Sequence, residues 1–468
     1  MALSVGLDTA VKALRAHQLA VDVAAHNIAN AHTPGFSRQR VLLRPIGLDG
    51  SDHFTRDAFL GRPGFGVDAS DVRRVRDIFL DYQIRLSLSS RGRYTALADA
   101  LRTAELTFND PSDEGLASVL AAFWASWHDV VNTPENTAAR TALVHAGETL
   151  AGRIRRAFDD LSALREDLDQ QVALMAEEIN AKAREIAQLN LQIKQVELNG
   201  DSANDLRDRR DLLLDELAEL ANISYAEQGD STVVVYLGNH ELVVGTEYRA
   251  VTPVADAGNP GMVKLVFAID GEELAPTSGK LKGLLDARDV ELTELQSKID
   301  SLAQALITEL NALHSAGFGL DGTTGEPFFT GSGAADIAVN PVLLADPRKV
   351  AASGAAGAPG DASVALQIAN LAQTPLAALG DKTVDEFYAN LVTVLGADVR
   401  GAQGLADSSE RLVSHIEAMR QSVQGVNLDE EMTNLVASQR AYEAAARVIT
   451  AIDEMLEVLI NRTGITGR

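Results

Sequence analysis

The stretch from Gly425 to Asn461, GVNLDEEMTNLVASQRAYEAAARVITAIDEMLEVLIN, has no Gly or Pro after its first residue and reads as one continuous helix. Asn427 fits an N-cap, with Glu430 three residues on and acids crowding the first turn, where they face the positive end of the helix dipole. Leu428, Leu435, Tyr442, Ile449 and Leu456 recur at an interval of seven, and Met432, Ala446, Ile452, Met455 and Leu459 widen the stripe. At the rise of an α-helix it would be about 50 Å long. Such a stripe needs a partner.

The opposite terminus offers one. In ALSVGLDTAVKALRAHQLAVDVAAHNIAN a heptad runs through Leu7, Leu14, Val21 and Ile28, with Leu3, Val11 and Ala25 as a second register. Two matched heptad helices predict that the ends of the chain close on each other as a coiled coil. Two unrelated core helices of a large globular protein would give the same periodicity, so that alternative stays open.

The chain has 468 residues, enough for about three domains. It is 46% hydrophobic but 5% aromatic, which favours long helices with thin cores. Its net charge of −25 argues against a nucleic-acid or anionic-membrane partner. With no cysteine, disulfides, thiolate metal sites and thiol nucleophiles are excluded. Asp8, Lys12, Arg15 and Asp22 break up any apolar segment of a cleaved secretion signal, and no run of about 18 apolar residues offers a membrane span.

The first helix is predicted to end near Ala29. Pro34-Gly35 fits the centre of a type II turn, after which residues 36–43 read as extended. The segment Gly61-Arg62-Pro63-Gly64-Phe65-Gly66 has the wrong spacing for a phosphate loop and reads as a turn before a return strand from Val67 to Val75. Helices are expected from Asp77 to Ala221, broken at Asn109-Asp110-Pro111, Asn132-Thr133-Pro134 and Asn199-Gly200. In the longest, Leu161, Leu164, Leu168, Val172, Met175, Ile179, Ala183, Ile186, Leu189, Ile193 and Val196 step by threes and fours. Trp124 and Trp127 read as core anchors. At Ile223 the period changes. Val233–Leu237 and Glu241–Val244 flank a Gly238-Asn239-His240 loop, and Val263–Ile269 is a further strand. A helix from about Lys280 to Ser315 is the expected coiled-coil partner of 161–196, residues 317–360 read as turns, short strands and a flexible link, and helices resume near Asp361 and from Thr383 to Gln424.

The search for chemistry is negative. His240-Glu241 begins a zincin-like pair, but Val244 stands where the second histidine belongs. Asp321 to Glu326 is too short for a calcium loop and lacks the terminal bidentate acid. Asp208/Asp211 and Asp215/Glu216 lie beside Arg207, Arg209 and Arg210, where ion pairs within the helix suffice. No catalytic, cofactor or metal site is expected, and a binding or enzymatic role for the β insert has no constellation to support it.

The stretch with NIAN followed by Thr33-Pro34-Gly35-Phe36-Ser37-Arg38-Gln39 resembles the bacterial flagellar rod, hook and hook-associated axial proteins, as does GVNLDEEMTNLVASQRAYEAAARVI near the other end. Three further stretches are similar to the hook-associated protein 1 family, the first hook–filament junction proteins: Asn109–Ala151, NDLRDRRDLLLDELAEL (Asn204–Leu220) and LNALHSAGFGLDGTTGEPFF (Leu310–Phe329). The alternative within the group is a hook or rod structural subunit.

The resemblance implies a mainly α protein with a smaller β-rich insert, built in three parts. Residues 1–44 with 425–468 would be a terminal coiled coil lining an inner tube. Residues 45–222 with 280–316 and 361–424 would form a helical bundle, and 223–279 with 317–360 an outer β-rich domain. It also implies self-assembly into a ring with hook protein below and the second hook–filament junction protein above. Export would be unfolded through the flagellar type III apparatus, with a chaperone on the C-terminal helix. The termini would be largely disordered in the free monomer, because the stripe has nothing to cover it there. Leu7, Leu14, Val21 and Ile28 would pack against Leu428, Leu435, Tyr442, Ile449 and Leu456, within a subunit and against neighbours. Asn27, Asn30, Thr33, Pro34, Gly35, Ser37, Arg38 and Gln39 would set the link to the next domain.

Overall fold

The computed structural model describes residues 2–46, 66–108, 112 and 115–462. The segment 61–65 and the expected break at 109–111 lie outside the described residues. The fold is mainly α with small antiparallel sheets. Helix α1 (Ala2–Ala29) leads into a hairpin of β1 (Gln39–Pro45) and β2 (Val67–Arg74). Then come α2 (Ile78–Phe108), α3 (Leu116–Asn132), α4 (Thr137–Leu198) and α5 (Asn204–Leu220).

Helix α4 is the spine. Asn136 caps it, accepting from the Ala138 N–H at 2.9 Å, and its 62 residues bury Leu161, Leu168, Val172, Ile179, Ala183, Ile186 and Ile193 along one face. Strands β3 (Ile223–Glu227), β4 (Val233–Leu237), β5 (His240–Val244) and β6 (Glu247–Tyr248) form one antiparallel sheet, while β7 (Val251–Ala255) and β8 (Val263–Phe267) form a separate hairpin. His240 belongs to β5, paired with Leu237, so the expected three-residue loop is the two-residue turn Gly238-Asn239, with Gly238 at φ +62°. The strands rest on α4 through polar side chains three helical turns apart. Asp169 accepts from the Val263 N–H at 2.8 Å, Asn180 brackets Val251 at 2.7 and 2.8 Å, and Asn190 brackets Val233 at 2.8 and 3.1 Å. Each satisfies backbone groups that burial against a helix would otherwise leave unpaired.

Two expectations need correction. The helix predicted from Lys280 is interrupted: α6 (Lys280–Asp286) passes through a π-helical turn, Ala287–Glu291, into α7 (Leu292–Ala316). That turn seats the buried Arg288, which donates to Asp169 at 2.5 Å and to the Val263 carbonyl at 2.8 Å. α7 meets α4 at Ser162, to which Gln296 donates at 2.8 Å, and continues towards Phe329, whose carbonyl accepts from Asn311. It therefore runs beside the N-terminal part of α4, not along 161–196, where α5 and the strands already sit.

The second correction concerns residues 317–360. They carry β9 (Phe329–Thr330), β10 (Ala338–Val339) and the short helix α8 (Pro341–Ala345). Phe328 and Val339 press on Gly147 of α4, and Phe328 stacks on Trp127 with ring centroids 5.4 Å apart. That point lies roughly 50 Å along α4 from Asn180, so these residues do not join the sheet of 223–279. They plug the end of the bundle, where Phe123 and Trp127 are fully buried. α9 (Ser363–Asn370) follows. α10 (Val384–Gln424), started by a capping box between Thr383 and Glu386, then runs back along α2, and α11 (Leu428–Arg462) closes the chain on α1.

Candidate assembly interface

α1 and α11 lie antiparallel. Asn27 donates to Glu431 at 3.0 Å near one end, and Gly6 faces Ile452 near the other, where an added β-carbon would stand 3.4 Å from Cδ1. Asn427 caps α11 as expected, accepting from the Asp429 N–H at 3.0 Å. Ala10, Ala16, Ala24 and Asn27 are buried on α1, and Glu431, Ala445 and Ile452 on α11. Leu7, Leu14, Val21 and Ile28 are half-buried, as are Leu435, Ile449 and Leu456, whereas Leu428 is 44% and Tyr442 36% exposed. The centre of the seam is a different run of seven from the bulky one: Glu431, Ser438, Ala445, Ile452. Small residues let the two backbones approach, and the larger ones are displaced to the flanks. Glu431 and Ala445 escape a hydropathy reading because neither is a large apolar side chain.

Within one chain the termini thus form a pair, but a thin one. Met432 and Val436 near its start, and Val448, Met455 and Val458 farther along, stay exposed on α11, with the exposed Arg440, Glu443 and Arg447 between the two groups.

The motif residues after α1 form a clasp. Phe36 N–H donates to the Thr33 carbonyl at 3.2 Å and Gly35 sits at φ +77°, closing the expected turn at Pro34. Thr33, Pro34 and Gly35 are exposed, and Asn30 accepts from the Thr33 hydroxyl at 3.1 Å. Asn27, Ser37 and Gln39 are buried. The Asn27 amide both donates to the Gln39 carbonyl at 2.8 Å and accepts from its N–H at 2.9 Å. Ser37 N–H donates to Asp208 at 2.9 Å, and Gln39 donates to Asp205 at 2.7 Å. Arg38 donates to Glu430 and Glu431, each at 2.7 Å.

Behind the clasp is an ionic cluster. The expected pairing within α5 does not occur. Asp208, Asp211 and Asp215 recur on one face at helical spacing, and that face meets arginines from other elements. Arg74 donates to Asp208 at 2.8 Å and Asp211 at 2.7 Å, Arg76 bonds Asp211, Arg85 donates to Asp215 at 2.7 Å, and Arg420 donates to Asp215 at 2.5 Å. Arg207, Arg209 and Arg210 turn the other way, to Glu197, Glu185 and Asn190. Burial raises the Asp211 pKa, but Arg76, Arg74 and Arg85 outweigh it and hold the carboxyl at about 2. Asp208 is pushed up, because burial exceeds the pull of Arg74. One cluster therefore ties α2, β2, α5 and α10 together directly under the terminal pair.

Among the described residues no group of three or more His, Asp or Glu could hold a metal ion. His240 stacks on Phe267, Glu241 pairs with Arg249 at 2.8 Å, and Asp321 caps Thr323 and pairs with Lys349 at 3.1 Å. No described helix is long and apolar enough to cross a membrane.

Residues 101–329 match the family described as flagellar hook-associated protein FlgK helical domain. Residues 420–462 match flagellar basal body rod FlgEFG protein C-terminal, and 7–36 match flagella basal body rod protein. The chain is 31% identical to flagellar hook-associated protein 1 of Bacillus subtilis strain 168, over 99% of both chains. It is 24% identical to flagellar hook-associated protein 1 of Escherichia coli K12, over 97% of this chain and 99% of that one. The flagellar hook junction protein FlgK from Burkholderia pseudomallei shares the fold, with a TM-score of 0.63 at 16% identity, covering 73% of this chain and 100% of that structure.

Proposed function

The chain belongs to the flagellar hook-associated protein 1 family, and from that membership we propose that it is a structural axial protein of the bacterial flagellum that forms the junction between hook and filament. The observation that carries this reading is similarity running from end to end, through the helical domain as well as both termini. Termini alone would fit a hook or rod subunit equally well. The named relatives are structural flagellar proteins, and no catalytic step is assigned to this one.

In this reading copies of the chain form a ring in the extracellular flagellum, seated on hook protein, with the second junction protein above and the filament growing from it. The exposed side of α11, carrying Leu428 and Tyr442 with the half-buried Leu435, Ile449 and Leu456, packs against neighbouring copies. Leu7, Leu14, Val21 and Ile28 back it from α1. An export chaperone covers the same side before passage through the flagellar type III apparatus, since an apolar stripe of this length in water invites premature association. The clasp from Asn27 to Gln39 fixes how the inner pair of helices meets the helical body, and the strands of 223–279 face outward.

Electron microscopy of cells lacking the gene, with the culture supernatant examined for free filament protein, tests the reading. Complete hooks, no filaments and unpolymerised flagellin in the medium are expected. Missing hooks would move the protein down to hook or rod, and normal filaments would overturn the assignment.

A further inference from the structure

We propose that Asn27, Arg38 and Glu431 act as a register key, a single buried polar layer that decides where α11 stands along α1. The inference rests on the geometry of the terminal pair and holds whatever the assembled role of the protein. Asn27 and Glu431 are 1% and 3% exposed. The two carboxylate oxygens of Glu431 are used separately, one accepting from Asn27 at 3.0 Å and the other from Arg38 Nε at 2.7 Å. Both donors are fixed from the body side. Asn27 is held by its two bonds to the Gln39 backbone. Arg38 donates its N–H to the Gln424 carbonyl at 2.9 Å, and its carbonyl accepts from the Val75 N–H at 2.8 Å. Glu431 is the piece that travels with α11.

The rest of the seam does this work weakly. From Asn27 back to Gly6 and from Glu431 on to Ile452 the distance is the same twenty-one residues, three whole heptads. The buried positions between are Ala10, Ala16, Ala24 and Ala445. The half-buried flanks, Leu7, Leu14, Val21 and Ile28 on α1 and Leu435, Ile449 and Leu456 on α11, repeat at multiples of seven and present a similar surface after a slide of one heptad, so apolar packing separates the two registers weakly. The same slide takes Glu431 away from both donors and leaves a carboxylate buried without partners, which is the property that lets one polar layer specify helix register. The exposed apolar positions of α11 are thereby set at one height above the body in every copy.

The absence of native cysteine makes disulfide trapping in the full chain a clean readout. Three double variants report register: Gly6→Cys with Ile452→Cys for the observed one, and Gly6→Cys with Ala445→Cys or Leu459→Cys for slides of one heptad either way. In the otherwise unaltered chain the first pair should oxidise and the others remain minor products. Adding Glu431→Leu should bring a slipped pair up to parity, and Asn27→Leu should do the same. Glu431→Gln, whose single amide oxygen can serve one of the two donors while its NH2 faces the other, should restore the original preference only in part. The near-ultraviolet signal of Trp124 and Trp127, in the bundle core, checks that the body stays folded. The proposal is overturned if Glu431→Leu still traps only the first pair, or if the unaltered chain traps a slipped pair as readily.

Discussion

Arg85 on α2 donates through Nε to Asp215 on α5 at 2.7 Å, joining side chains 130 residues apart in a site where the arginine is 4% exposed. Arg420 at the end of α10 takes the second oxygen of the same carboxylate. Asp215→Asn keeps the shape and removes the charge, leaving two largely desolvated guanidinium groups short of a counter-ion. A loss of about 3–5 kcal/mol is expected for breaking a buried pair from one side. Urea unfolding of the two proteins measures it, and a change below about 1 kcal/mol, the range of exposed ion pairs, would show that the cluster contributes little.

Gly35→Ala should cost about 1–2 kcal/mol from its φ of +77° alone. Crowding adds to this, because the new β-carbon would lie 3.2 Å from Cβ of Leu212. The strain falls on the turn between α1 and the hairpin, so the same variant should loosen the clasp while the bundle melts nearly unchanged. Unchanged amide protection at Ser37 and Gln39 would rule out a required positive φ there.

His314 gives the fold a pH dependence. It is 1% exposed, with Nδ1 2.7 Å from the Glu326 carbonyl and Nε2 accepting from the Ala351 N–H at 2.9 Å, an arrangement that suits the neutral ring. Burial lowers its pKa from 6.5 to about 4. The unfolded chain therefore binds this proton more tightly. The contribution is complete above about pH 6.5, declines as the pH falls, and levels off below about 4, with a span of roughly 3 kcal/mol. Asp211, held near 2, adds its own loss only below the ordinary carboxylate range, so the two windows separate. Unfolding free energies at pH 7, 5.5 and 4.5 should fall in the parent and flatten in His314→Gln; parallel curves would remove the histidine from the account.

The elements that could be read in advance are those with local signals. Ala29 ends α1, Thr383 with Glu386 starts α10, and the step of threes and fours from Leu161 to Ile193 marks the buried face of α4, because each depends on neighbours within a turn or two. The pairing of the two terminal helices was only half legible. Bulky heptad residues stand out by hydropathy, but an antiparallel pair packed through Ala445, Ser438 and the polar layer at Glu431 puts its axis where hydropathy is weakest. The acids of α5 could not be assigned partners, since Arg74, Arg85 and Arg420 arrive from strands and helices far along the chain. Residues 317–360 misled for a related reason. Gly and Pro mark the turns, while Phe328 and Phe329, which dock them on Trp127 and Phe123, carry no sign of which surface they will meet.

The thinness of the terminal pair has a dynamic consequence. A seam centred on small and polar residues buries little apolar area per turn, so easy opening of the terminal pair is expected in the free monomer. Amides of residues 2–29 and 428–462 should exchange well before those of α4 in the dilute monomer. Protection of the termini equal to that of the Ile179–Ile193 stretch would contradict this and would leave a chaperone no open form to bind.

Leu435 tests the outer stripe because it sits at the edge of the pair, half-buried against α1 and next to the exposed Met432 and Val436. A charge at position 435 is placed where a neighbouring copy would have to desolvate it, a cost that assembly cannot offset without a partner for the carboxylate. In the single chain the same carboxylate can turn to water. Leu435→Asp should therefore leave the bundle folded, with the melting transition shifted by no more than a few degrees, and should abolish filament formation in a complementation assay while the protein is still exported. Ser438→Ala, one turn along at the half-buried centre of the seam, should do neither. Filaments built normally on Leu435→Asp subunits would mean that neighbouring copies meet through some other face.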